Sequence, residues 1–127
     1  MTTITQVALT SELLRRAALH ISTAMRNTPG IDSAALCALN GQCLWASNPT
    51  FERIAPRIAQ IGIMSLRLWV KVRTGKLDRI GLVTDNGTVD LIFVGRLASV
   101  LVISGKDAQS GWLEDEPEAL LAALDLL

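Results

Sequence analysis

The segment from Pro56 to Gly75, "PRIAQIGIMSLRLWVKVRTG", limits the folds open to this chain more than any other. A proline inside a helix costs about 3 kcal/mol, and a glycine readily ends one, so the sequence predicts a helix beginning near Pro56 and stopping at Gly75. At about 100° per residue, Ile58, Ile61, Ser65, Leu68 and Val72 share one face, and Ala59, Ile63, Leu66 and Val70 share another. Gly62 and Trp69 lie between them. The apolar arc spans roughly 220°, where a helix on a single sheet needs little more than about 100°. A polar stripe of Arg57, Gln60, Met64, Arg67 and Lys71 takes up the remainder.

A chain of 127 residues is too small to enclose such a helix by itself. A sheet takes one side, and the other needs a second apolar neighbour, most economically the same helix of a second copy. The pattern predicts a homodimer with Ile58, Ile61, Gly62, Ser65, Leu68, Trp69 and Val72 at its interface. The stripe of Arg57, Gln60, Met64, Arg67 and Lys71 is the expected surface for a further partner, steering an acidic one by charge.

The remaining elements follow from caps, turns and periodicity. A first helix starts after Thr10-Ser11, whose hydroxyls can cap it, and breaks at "RNTPG". Leu14, Ala18, Ile21 and Met25 share its apolar face. Ser33 to Ser47 reads as a hairpin about Asn40-Gly41, and both faces of its first strand are small and apolar, as in a strand covered on both sides. "DRIGLVTDNGTVDLIFVGRLASVLVIS" reads as three more strands, turning at Asn86-Gly87 and Gly95-Arg96. In "DEPEALLAALDLL" Asp115 is the expected cap of a last helix, with Glu118 as its reciprocal partner and Pro117 in the first turn. No repeat or linker interrupts this order, so residues 1–127 read as one domain.

Candidate chemistry is sparse. Gly105-Lys106 and Ser110-Gly111 follow an apolar strand, but the glycine, four residues, Gly-Lys-Ser/Thr spacing of a phosphate loop is absent. A corner between strand and helix is the better reading. A two-residue turn at Asn40-Gly41 pairs Cys37 with Leu44 and Ala38 with Cys43, placing the two cysteines on opposite faces, with neither a disulfide nor a shared metal site. His20, the single histidine, flanks the first helix, so no metal site is expected there. Asp85 and Asp90 flank a turn, where aspartate is ordinarily structural. No catalytic residues, metal or cofactor are expected.

Half of the residues are apolar, and 12 basic side chains balance 12 acidic ones, which argues for order and against nonspecific nucleic-acid binding. The first ten residues carry no lysine or arginine, and no apolar run approaches the roughly 18 residues of a membrane span. The expectation is a cytoplasmic protein with reduced thiols and no membrane insertion.

The order helix, two strands, helix, three strands, helix resembles the roadblock / dynein light-chain family, whose bacterial members include GTPase-activating partners of small gliding-motility-type GTPases. The resemblance covers nearly the whole chain. It is carried by "GIDSAALCALNGQCLWAS", similar to the family's first hairpin, and by "ASVLVISGKDAQSGWL", where Lys106, Asp107, Gly111 and Leu113 match the last strand and the loop after it. It implies an α+β fold: a five-stranded antiparallel sheet between one central helix and a pair of helices, of profilin-like build. It also implies dimerisation through the central helix and an adjoining edge strand, and a Ras-like small GTPase as partner. The chain departs from the family at "EDEP", which suggests that the last helix restarts near Asp115.

The expected function is therefore that of a noncatalytic, homodimeric module that contacts a small GTPase and modulates its cycle or positions it. One alternative is a scaffold without effect on GTP turnover. Another is a sensory domain holding a small molecule, for which Trp45 and Trp112 are the available lining residues. An arginine donated to the GTPase, from Arg96, Arg57 or Arg67, would be worth about 10³–10⁵ in rate, but exposed arginines are usually solvating charges.

Overall fold

Helix α1 (Ser11–Asn27) starts where the Thr10 hydroxyl accepts the Leu13 N–H at 3.2 Å, a side-chain cap on an otherwise orphaned donor. Its buried stripe is Ala17 and Ile21, flanked by Leu13, Leu14 and Met25. The computed structural model describes residues 9–72, 78–85, 87–106 and 118–125, with the backbone alone at 70–72, 84 and 96.

Five antiparallel strands follow: β1 (Ile31–Ala38), β2 (Cys43–Ala46), β3 (Arg79–Thr84), β4 (Gly87–Val94) and β5 (Ser99–Gly105). They form one sheet in the order β2-β1-β5-β4-β3. Helix α2 (Pro49–Val72) lies between β2 and β3 in sequence, and a helical segment at 118–123, here α3, comes last.

The alternation of side chains along β1 explains the layers. Ala34 and Leu36 join Ile92, Val94, Leu101 and Ile103 beneath α1 and α3, which contribute Ala17, Ile21 and Leu120, with Leu124 in the turn just after α3. Ala35 and Cys37 join Leu91, Val100 and Val102 on the other face, beneath Phe51, Ala55 and Ala59 of α2. The sheet thus lies between one central helix and a pair of helices, as expected. Arg16 of α1 ties down the end of α3, donating to the Ala123 carbonyl at 2.8 Å and to Asp125 Oδ2 at 3.1 Å.

Helix α2 begins at Pro49, not near Pro56. Asn48 Oδ1 accepts the Phe51 N–H at 2.8 Å, and Pro49 occupies the first helical position, where a missing N–H is no loss. Pro56 then falls inside the helix. Burial of Phe51, Ala55 and Ala59 offsets its cost, and the carbonyl it frees belongs to exposed Glu52.

The first hairpin also differs. Gly41 N–H donates to the Ala38 carbonyl at 2.9 Å and Ala38 N–H to the Gln42 carbonyl at 2.8 Å, with Gly41 at φ +92°. Three residues, not two, make the loop, with Gly41 in the left-handed position of a bulged turn. The shift by one residue makes Cys37 and Cys43 register partners on the same face, not opposite ones.

The second hairpin turns one residue earlier than the expected Asn86-Gly87, because Gly87 already belongs to β4, whereas the corner at Gly95-Arg96 is placed as expected. Thr84 pairs with Gly87 around the β3–β4 turn, and a 3₁₀ turn at Gly95–Leu97 carries β4 into β5. The helix stop at Gly75, the cap at Asp115, Pro117, Ser110, Trp112 and the matched Asp107, Gly111 and Leu113 lie outside the described residues.

Candidate functional site

Helix α2 is longer and more apolar than one sheet can cover. Its inner side, Phe51, Ala55, Ala59 and Ile63, is buried, and Ile58 packs at the margin of the same core. Gly62 is also turned inward: a Cβ there would lie 2.7 Å from Leu91 Cδ2 and 3.5 Å from Phe93 Cζ. Gly62 therefore meets the sheet of its own chain and leaves the outward-facing set.

The outer side carries Ile61, Met64 and Leu68, exposed by 49%, 67% and 62%. Together with Ser65 and Arg67 they line an open depression of about 600 Å³. Met64 and Arg67 stand in the same depression as Ile61 and Leu68, so stripe and arc are interleaved there. The Ser65 hydroxyl donates to the Ile61 carbonyl at 2.8 Å, so it can be covered without losing its hydrogen bond.

Gln60 serves its own chain: its Nε2 donates to the Asn40 carbonyl at 3.3 Å, latching the hairpin tip to α2. Arg57 is exposed. Trp69 is half-buried, and its indole N–H is enclosed without an acceptor among the described residues. The side chains of Lys71, Val72 and Arg96 are not among those described.

Strand β3 is an edge of the sheet. Its sequence, RIGLVT, has no proline and no charge past Arg79, the devices that usually blunt an edge. Leu82 and Val83 are exposed, Val83 by 82%. An uncovered apolar helix face and an unprotected strand edge thus lie within one sheet-and-helix layer.

The Gly105-Lys106 stretch does not form an anion cradle, because the Lys106 backbone N–H is already donated to the Gly30 carbonyl at 2.9 Å. Among the described residues no three His, Cys, Asp or Glu side chains gather as a metal site, and no helix is long and apolar enough to cross a membrane.

Asp90, read from sequence as an ordinary turn residue, is 8% exposed in β4, opposite Gly81. Burial raises its pKa, and the nearby Arg79 charge opposes the rise. A carboxyl with a raised folded-state pKa binds more protons folded than unfolded, so its contribution is fully favourable below the unfolded pKa and is lost as pH climbs through the folded value. Asp90→Asn is expected to unfold at a higher temperature than the parent at pH 7 and at nearly the same temperature at pH 3. A thermal melt at each pH checks this.

The geometry can be set beside known structures. No family model and no curated protein matches the chain. A Roadblock/LC7 domain from Streptomyces avermitilis superposes with a TM-score of 0.73 at 15% identity, over 85% of this chain and 93% of that one. This is the Roadblock/LC7 fold. The gliding protein MglB from Thermus thermophilus shares it, with a TM-score of 0.72 at 15% identity over 96% and 95% of the two chains. An MglB described with a tetrameric arrangement gives 0.73 at 16% over 97% and 98%. At these identities the likeness to the Roadblock/LC7 fold is one of architecture, and what the residues do is argued from the site itself.

Proposed function

We propose that the chain is a noncatalytic, homodimeric regulatory module acting in the cytoplasm, and that its partner is a Ras-like small GTPase whose cycle it modulates or which it positions. The observation that carries this reading is the uncovered outer face of α2, with Ile61, Met64 and Leu68, beside the unprotected edge of β3. An isologous dimer covers both at once: α2 packs on its symmetry mate, and the edge gains a strand across the two-fold axis. Ile61, Ser65 and Leu68 take the centre of that contact, with Met64 and Arg67 in the same depression, Trp69 and Val72 following along the helix, and Ile58 at the inner margin. The GTPase is supported by the sequence resemblance and by a fold shared with MglB. Arg57 at the polar margin, with Lys71 along the same stripe, is the cation offered to an acidic partner surface, while Arg67 lines the depression that the second copy covers.

A depression whose described lining all comes from α2 and which is open to solvent suits a protein contact, whereas small ligands sit in concave pockets that cover most of their surface. The reading is tested with a small GTPase encoded beside this chain, by measuring binding and GTP hydrolysis with and without the protein. Binding with altered turnover is the expected result. Binding with unchanged turnover makes the chain a scaffold, and absence of binding removes the GTPase from the account.

A further inference from the structure

We infer that Cys37 and Cys43 form an oxidisable dithiol, a modification site at which a low-molecular-weight disulfide converts the pair to a cross-strand Cys37–Cys43 disulfide beneath α2. The corrected register carries this inference. The two residues are partners across β1 and β2, their side chains lie on the same face of the sheet, and both thiols are free. The bond from the Ala38 N–H to the Gln42 carbonyl closes the adjacent pair. Antiparallel pairs alternate, so Cys37 and Cys43 occupy a non-hydrogen-bonded pair, where Cα atoms approach to about 4.5 Å and side chains come closest. That separation lies within the range a disulfide spans.

The two thiols differ in access. Cys37 is fully buried against Ala55, Ala59 and the central strands, whereas Cys43 is half-buried at the edge strand and its Sγ lies 3.4 Å from the Trp45 carbonyl. Burial raises both pKa values, that of Cys37 to about 12. Access makes Cys43 the first nucleophile and Cys37 the resolving one. The Cys43 thiolate attacks one sulfur of the small disulfide, forming a mixed disulfide and releasing one small thiolate. The Cys37 thiolate then attacks Cys43 Sγ, the protein disulfide forms, and a second small thiolate leaves. Two electrons pass from the protein to the small disulfide, and the two thiol protons go to the two released thiolates. The product ties the edge strand β2 to β1 at the seat of α2, closing a short loop around the hairpin tip.

The test treats the full-length protein with glutathione disulfide, alkylates it in denaturant, and measures intact mass and non-reducing gel mobility. The expected product has lost the mass of two hydrogens, carries no alkylated cysteine, runs at single-chain size and melts at a higher temperature, and dithiothreitol reverses all four. Cys37→Ser should stop at a stable glutathione adduct on Cys43, and Cys43→Ser should stay unreacted while folded. Two alkylated cysteines in the treated wild-type protein, a glutathione adduct that persists in it, or disulfides between chains would each overturn the inference. The wild-type readout holds even if Cys37→Ser fails to fold.

Discussion

Gly105→Ala is expected to lower the thermal midpoint by about 10 °C, the shift that about 3 kcal/mol of overpacking produces in a domain of this size. Three backbone passages meet at this glycine. A Cβ there would run into the Gly30 carbonyl oxygen and lie 3.0 Å from Ile31 Cα. Those contacts are main chain, so no side chain can rotate away. The Gly30 carbonyl is also held by the Lys106 N–H, and Gly105 pairs with both Ile31 and Thr88. Relief would therefore disturb β1, β4 and β5 together, at one end of the sheet. Gly95→Ala is the matched control: an added Cβ meets nothing within 4 Å, and its melt should stay close to the parent's. Equal melting temperatures for the two variants would show that the crossing at Gly105 is looser than described.

Leu68→Asp is expected to convert the proposed dimer to a folded monomer, weakening self-association by about 10³-fold. Leu68 is 62% exposed within one chain, so the substitution costs that chain little. Across a two-fold interface it acts twice, each time removing an apolar contact and burying a carboxylate beside Ile61 and Met64. About 2 kcal/mol per copy gives the stated factor. Leu19→Asp separates a local effect from a general one. Leu19 is exposed to the same extent, but on α1, in the opposite layer of the molecule. It should leave the dimer intact. Sedimentation velocity over a concentration series reads both variants, and circular dichroism confirms that each remains folded.

How much of this was legible in the residues follows from what local chemistry determines. The excess apolar arc of α2 could be read because helical periodicity depends on spacing alone, and the structure divides that arc into a covered side (Ala59, Ile63) and an uncovered one (Ile61, Leu68), which Met64 of the polar stripe joins. The inward turn of Gly62 was not readable, since it depends on where Leu91 and Phe93 lie beneath the helix.

The hairpin shows a sharper limit. Asn-Gly suits both a two-residue turn and a three-residue bulged one, and the choice between them decides the face of Cys43, before the register shift that returns Trp45 opposite Leu36 and Ala46 opposite Ala35. Cys43 was therefore assigned to the wrong side, and the thiol pair was hidden. At the start of α2, Asn48-Pro49 carries the signal of a cap followed by a first-turn proline, but Pro56 reads as a breaker unless the burial of Phe51 and Ala55 is known. Asp90 illustrates the same dependence on tertiary context. Its position next to a turn suggested an ordinary structural aspartate, and only the packing of the sheet encloses it.

The central claim is that a second copy covers the outer side of α2 together with the edge of β3. Light scattering coupled to size exclusion, on the unmodified protein at micromolar concentration, tests it most directly. The account predicts twice the 13.7 kDa chain mass. A single-chain mass that holds across that concentration range would contradict it.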